Sequence, residues 1–314
     1  MSYAIETDAL SKRYGTQTAL RALSLTVNAG SVFGMIGPNG AGKTTTMRLL
    51  LDIIRPSAGT LRVLGADPRT GGPALRRRIG FLPGELRLEG RTTARALLGY
   101  YAQISGGGAA PAAIDELALR LGLDLTRPVG ALSKGNKQKV GLVQAFMHQP
   151  DLLVLDEPTS GLDPLVQREF LSLVREARER GQTVFLSSHV LSEIQHVADS
   201  VAILRSGELV TTASVAELRE SAVRHVRVTV SQADAPALRS ALAALPQVAD
   251  LRETSGPSGL AGVTMSASIA SGLHEFVHAL SRFDVLDLVA EEADLEEAVL
   301  RYYGTDLREG SEPA

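Results

Sequence analysis

The sequence predicts an α/β core built on a largely parallel sheet, followed from about residue 221 by a small α+β domain. Three observations carry that reading. Short apolar runs alternate with helical patterns through about residue 220, the rhythm of strand, helix and parallel strand. One such run leads into "GPNGAGKTT" (37–45), a glycine-rich turn placed between a strand and a helix. Beyond residue 221 the order becomes β-α-β-β-α-β, which predicts a ferredoxin-like arrangement.

In chain order, "LSLTV" (23–27) alternates like a half-buried strand and "SVFGMIG" (31–37) reads as a buried one. "TTTMRLLLDII" (44–54) is helical by length and stops before Arg55-Pro56, where proline ends it. From about 92 to 130 the pattern is helical, with "GGG" (106–108) as a joint, and predicts a helical insertion. Arg87, Arg91 and Arg95 fall four apart at its start and on a helix would form one basic stripe. "DLLVLDEP" (151–158) is a buried strand ending in two carboxylates, and "QTVFLSSH" (182–189) is another ending in a histidine. The second domain is read from the alternating "HVRVTV" (225–230) and the amphipathic "APALRSALAAL" (235–245). Two strand-like runs follow around the turn-rich 252–262, then a helix at 272–283 and a strand at 285–291. "REGSEPA" at the end reads as a frayed tail. The expected domains are therefore 1–220, with the helical insertion at about 84–150, then 221–305, then a flexible 306–314.

Composition narrows the function classes. A formal net charge of −3 argues against a broad electrostatic footprint for nucleic acid. The absence of cysteine excludes disulfides and thiolate metal sites. Met1–Asp8 lacks the basic and apolar regions of a signal peptide. Apolar runs such as "LLVL" (152–155) fall far short of the roughly 18 residues that span a bilayer. Any membrane role is therefore expected to come through a partner.

The chemistry-bearing residues follow from "GPNGAGKTT", which fits the phosphate-loop pattern G-x-x-x-x-G-K-[ST]. Glycines at 37, 40 and 42 let backbone N–H groups turn inward around phosphate oxygens, and the helix start adds partial positive charge. Asn39, Gly40, Gly42, Lys43, Thr44 and Thr45 are the candidate nucleotide contacts of this loop. Lys43 would meet the β- and γ-phosphates, and Thr44 would offer its hydroxyl to Mg²⁺. In an open α/β sheet the carboxyl ends of strands point at the ligand crevice. Asp156 there reads as a Mg²⁺ partner and Glu157 as the general base for the attacking water. His189 ends the next strand beside the same crevice. His148, His196, His225, His274 and His278 lack such a context and read as structural.

In this order and spacing the chain resembles the ATP-binding subunit of an ATP-binding cassette (ABC) transporter over roughly residues 3–220. "GPNGAGKTT" resembles the Walker A loop and "LLVLDEP" the Walker B strand. "LSKGN" (132–136) resembles the signature usually written LSGGQ, and "SGLD" (160–163), with Asp163, the D-loop. His189 resembles the switch histidine, and Tyr14 in "SKRYG" the aromatic that stacks on adenine. The fold implied is a P-loop ABC ATPase core with a helical subdomain, plus the small ferredoxin-like domain. The partners implied are a second copy, in a head-to-tail sandwich of two ATP molecules, and a separate membrane permease at the cytoplasmic face. Each site would join one subunit's Walker A to the other's signature. Ser133, an N-cap at the start of a helix from about 135 to 148, with Lys134 and Gly135, would then face the partner's γ-phosphate.

Two departures from the family pattern stand out. Gly84 occupies the place of the usual metal-touching glutamine, with Glu85 next to it; the resemblance leaves two expectations open, that Glu85 substitutes as ligand or that the metal keeps a water there. Lys134 and Asn136 replace the signature's glycine and glutamine. "DLEEAVLRYYG" (294–304) resembles the accessory domain of daunorubicin-resistance-type exporter ATPases, which implies export of a drug or lipid-like compound. The competing classes are a soluble ABC-type ATPase acting on nucleic acid or ribosomes, and a regulatory module that hydrolyses poorly. One cassette, no heptad run and a mildly acidic balance weigh against the former.

Overall fold

The computed structural model describes residues 2–105, 111–191, 195–221, 223–255, 262–269 and 273–291. The chain divides into two compact units, Met1–Val215 and Ala216–Ala314.

The N-terminal unit opens with β1 (Tyr3–Tyr14) and β2 (Gln17–Asn28). The fully buried β3 (Val32–Ile36) leads through the glycine-rich loop into α1 (Lys43–Leu50). Next come β4 (Ala58–Val63), α2 (Pro68–Arg76) and β5 (Ile79–Leu82). The helical subdomain holds α3 (Ala94–Ile104), α4 (Pro111–Arg120), a 3₁₀ turn at Val129–Ala131 and α5 (Lys134–Phe146). The unit closes with β6 (Leu152–Leu155), α6 (Pro164–Glu179), β7 (Thr183–Ser188), β8 (Ser200–Arg205) and β9 (Glu208–Ser214). Helix α7 (Val215–Ser221) follows.

Six strands form the central sheet in the order β5-β6-β7-β3-β8-β9. All its pairs are parallel except β8 with β9. Strands β3, β6 and β7 are buried along their whole length, as expected of a sheet covered on both faces. Beside it lies an antiparallel sheet, β2-β1-β4. Residues of both sheets and α1 share one core, with Phe33 and Phe185 stacked 5.9 Å apart inside it.

The expected helix 44–54 is shorter than its apolar pattern. It ends at Leu50, and Asp52 takes a left-handed backbone (φ 53°), so the chain turns before the proline. The arginine stripe does not form. Arg87 and Arg91 lie outside any helix, and only Arg95 is on α3. Arg87 pairs with Glu85 and Arg95 with Asp115, so local partners take up two of the three charges. The "GGG" joint lies outside the described residues. Among those described, no helix is long and apolar enough to cross a membrane.

The C-terminal unit contains β10 (Arg224–Val230), α8 (Ala235–Ala243), β11 (Val248–Ser255), β12 (Val263–Ile269), α9 (Leu273–Leu280) and β13 (Val285–Ala290). Its sheet runs β11-β12-β10-β13 with every pair antiparallel. Val226, Val228 and Val230 share a core with Leu238, Leu242, Phe276 and Leu280. The segments 294–304 and 306–314 lie outside the described residues.

One ion-pair network ties the helical subdomain to the sheet layer. Arg120, the last residue of α4, donates to Glu169 (2.6 Å) and to both oxygens of Glu176 (2.8 and 2.5 Å) on α6. This bond raises the Arg120 pKa and lowers that of Glu176. The fork geometry makes it stronger than an ordinary surface pair. Replacing Arg120 with alanine should destabilise this unit by about 1–2 kcal/mol at neutral pH. Because the folded Glu176 pKa is depressed, the contribution is complete above the ordinary carboxylate range and is lost as pH falls through the lowered value. The gap between parent and Arg120→Ala urea midpoints should therefore close in acid.

Candidate active site

The loop between β3 and α1 is shaped by glycines that nothing larger could replace. A Cβ on Gly37 would stand 2.4 Å from the carbonyl oxygen of Leu204, and one on Gly42 would stand 2.9 Å from that of Ala19. Gly42 also has φ +109°, which L side chains rarely adopt. The loop and the N-terminus of α1 line a cavity of about 390 Å³, together with Tyr14, Gln17, Thr18, Ala19 and Glu157. Asn39, Gly40, Gly42, Lys43, Thr44 and Thr45 all contribute to its wall. Tyr14, at the end of β1, is half exposed on that wall, with the Lys12 ammonium 5.0 Å from its ring centre.

Lys43 is only 6% exposed. Its ammonium donates to the Gly37 carbonyl at 2.7 Å and lies 3.3 Å from Glu157 Oε1. Thr44 Oγ1 donates to Asp156 Oδ2 at 2.7 Å, joining the loop to the end of β6. Ser187, on β7, donates to Asp156 Oδ1 at 2.6 Å. His189 Nδ1 lies 2.7 Å from Glu157 Oε2. The structure thus brings Lys43, Thr44, Asp156, Glu157 and His189 to one crevice edge.

Glu157 has a positive φ of 46°, a conformation costing on the order of 1–3 kcal/mol outside glycine. Its Oε1 is buried and has no hydrogen-bond partner. Lys43 meets that oxygen as a charge 3.3 Å away. Glu157 itself forms part of the wall of the cavity that the loop lines.

A second cavity, of about 250 Å³, lies against the first and shares Thr44 and Glu157 with it. Phe81, Pro83, Gly84, Glu85, Arg48 and Asp156 also line it. Among the described residues, no three His, Cys, Asp or Glu side chains are grouped to hold a metal alone. Thr44 and Asp156 nevertheless form the oxygen-donor pair that suits Mg²⁺, an ion that keeps waters and takes its remaining ligands from phosphates. Glu85 does not join that pair. Its side chain is 82% exposed and bonded to Arg87, because the loop after β5 turns it outward.

The signature-like residues stand apart. Ser133 caps α5, its Oγ accepting from the Asn136 N–H at 3.3 Å. Lys134 Nζ donates to Ser160 Oγ of the same chain at 3.3 Å. Asp163 caps α6, accepting from the N–H groups of Leu165 and Val166. Ser133, Lys134, Gly135 and Asp163 are absent from the wall of the 390 Å³ cavity. Sequence reasoning missed Ser187 and Gln138, which touch the Asp156-Glu157 pair. Ser187 gave at most a weak signal, a hydroxyl at the end of the apolar run of β7, and Gln138, between Lys137 and Lys139, gave none.

Comparison with known proteins agrees with this geometry. Residues 20–160 match the family model described as ABC transporter. The chain is 41% identical over 212 residues to the bacitracin transport ATP-binding protein of Bacillus licheniformis, covering 67% of this chain and 69% of that protein. The chain belongs to the ABC transporter family. It is also 34% identical over 311 residues to a daunorubicin resistance ATP-binding protein of Streptomyces coeruleorubidus, covering 97% of each. A solved ATP-binding subunit of an ABC transporter superposes with TM-score 0.63 at 30% identity, covering 69% of this chain and 92% of that one.

For this ABC protein the shape of the loop depends on its glycines. Gly42→Ala adds both a clash and an unfavourable φ, on the order of 1–3 kcal/mol. A fluorescent ATP analogue should bind the variant at least about tenfold more weakly in titration.

Proposed function

We propose that the chain is the ATP-hydrolysing subunit of an exporter, coupling ATP binding and hydrolysis to transport by a separate membrane permease. The observation that carries this reading is the Glu157 carboxylate on the wall of the cavity lined by the phosphate loop, with Oε1 3.3 Å from the Lys43 ammonium. A carboxylate so placed can take the proton of an attacking water. His189, bonded to the other oxygen, keeps that carboxylate aimed. Lys43 and the N–H groups of residues 39–45 would hold the β- and γ-phosphates, and the exposed ring of Tyr14 would stack on adenine. Thr44 and Asp156 would hold Mg²⁺, which when bound neutralises charge building on the transferred phosphoryl group.

The active form is a head-to-tail homodimer. Ser133, Lys134, Gly135 and Asp163, which do not line their own chain's cavity, complete the site of a second copy. The N-terminus of α5 offers the partner's phosphate N–H groups and partial positive charge. Residues 1–220 are the nucleotide-binding domain and 221–305 a ferredoxin-like accessory domain. The β10-α8-β11-β12-α9-β13 order and fully antiparallel sheet support the second assignment. Bacitracin and daunorubicin in relatives' names support a drug or lipid-like substrate. The protein would work peripherally, on the cytoplasmic face of the membrane that holds the permease.

Glu157→Gln keeps the shape and removes the base. It should abolish steady-state turnover while ATP still binds, and ATP should trap a dimer visible by light scattering. Parental turnover in that variant would show that Glu157 is not the base. Lys134→Ala should weaken ATP-dependent dimerisation more than ATP binding to the monomer, because its ammonium lies outside its own chain's site. Equal loss of both would remove Lys134 from the seam.

A further inference from the structure

Glu157 holds a left-handed backbone that a non-glycine residue keeps only if its surroundings enforce it. Two buried side chains do so. Ser187, fully buried on β7, accepts the Glu157 N–H at 3.0 Å. The same hydroxyl donates to Asp156 Oδ1 at 2.6 Å. One donor and one acceptor are thus spent on the two neighbouring carboxylate residues. Gln138, 3% exposed on α5, donates from Nε2 to the Glu157 and Pro158 carbonyls, each at 3.2 Å. The Ser160 N–H reaches the same Glu157 carbonyl at 3.1 Å. Glu157 is therefore gripped at its N–H from the sheet and at its C=O from the helix that begins at Ser133.

We propose that Ser187 and Gln138 are positioning residues for the hydrolytic reaction, clamping the Glu157 backbone so that its carboxylate stays beside Lys43 on the wall of the phosphate cavity. Ser187 also fixes the rotation of Asp156, whose other oxygen meets Thr44. Without the hydroxyl, the Glu157 N–H and one Asp156 oxygen would be left buried and unpaired, and the turn would relax toward an ordinary backbone. The proposal rests on the reading of Glu157 as base, but Asp156 gives it a second, separate consequence. Ser187 should govern how strongly Mg²⁺ supports nucleotide binding, whereas Gln138 should not.

The test uses the full chain with Ser187→Ala, Ser187→Val, Ser187→Thr and Gln138→Met. It reads kcat and KM for ATP, together with the Mg²⁺ dependence of fluorescent ATP-analogue binding. Ser187→Ala and Ser187→Val should lower kcat by about tenfold or more, with KM changed by less than about threefold. They should also raise the Mg²⁺ concentration needed for half-maximal binding. Ser187→Thr, matched in shape to valine but keeping the hydroxyl, should recover most of both. Gln138→Met should lower kcat and leave the Mg²⁺ dependence as in the parent. The clamp is overturned if Ser187→Ala matches the parent in both readouts. It is equally overturned if threonine does no better than valine while kcat and ATP affinity fall together, the mark of general loosening. Glu157→Gln, run alongside, separates the two ideas. If it alone loses turnover and the Ser187 variants do not, the clamp fails and the base stands. If it keeps turnover, the base fails and the Mg²⁺ measurement judges Ser187 through Asp156.

Discussion

A buried ammonium sets the layout of the N-terminal unit. Lys43, 6% exposed at the start of α1, needs close anionic or carbonyl partners to offset the burial of its ammonium. The Gly37 carbonyl comes from its own loop, but Glu157 arrives from the end of β6. That demand requires β6 to lie near β3 with its carboxyl end at the same edge, which a parallel sheet provides. The strand between them is β7, with Met35 beside Ser187 and Leu155 beside Leu186. Ser187 therefore falls where it can reach both carboxylate residues, and His189, just past the strand end, where it can reach Glu157. The register that satisfies one buried charge thus assembles the rest of the site.

What was legible in the sequence was chemistry carried by short, contiguous segments. The phosphate loop, Asp156, Glu157 and His189 sit at strand ends, and apolar runs announce strand ends. The antiparallel layer β2-β1-β4 was less legible, because β1 and β2 are broken by register shifts and by left-handed residues at Ala9 and Ala22. Those bulges interrupt the alternation that marks a strand. The helix after the phosphate loop was overread because Leu51, Ile53 and Ile54 continue an apolar pattern while the backbone has already turned at Asp52. Asp163, read as part of the D-loop, also has a local task, its carboxylate accepting from the first N–H groups of α6. Ser187 and Gln138 were invisible because their partners are distant in sequence, and no local periodicity encodes such a pairing.

The lysines of "LSKGNKQKV" show how local capping and tertiary contact divide the same segment. Cations in the first turn of a helix oppose its dipole, so Lys134 needs compensation. Part of it lies within its own chain, where Nζ reaches Ser160 Oγ and the stem lies over Gly161. Gly135 has a separate reason to be glycine, since a Cβ there would stand 2.6 Å from the Gly161 carbonyl oxygen. The start of α5 and the segment after Glu157 are thus packed as one piece. Gln138, one turn further on, holds Glu157 itself. Whatever engages Ser133 from outside is therefore one short helix segment away from Glu157.

The same close packing accounts for the glycine where the family pattern has glutamine. A Cβ at Gly84 would stand 3.1 Å from Asp156 Oδ2 and 3.2 Å from its Cγ. Asp156 has little freedom to yield, because Thr44 and Ser187 hold its two oxygens. A longer side chain there would have to displace either the loop after β5 or the carboxylate expected to face Mg²⁺. Glycine leaves that carboxylate in place and opens the 250 Å³ cavity beside it, which is roomy enough for water to reach the metal side. Glu85 points outward here, paired with Arg87. Gly84 thus leaves Asp156 undisturbed between Thr44 and Ser187, and the contacts that fix the two carboxylate residues come from the residues behind them.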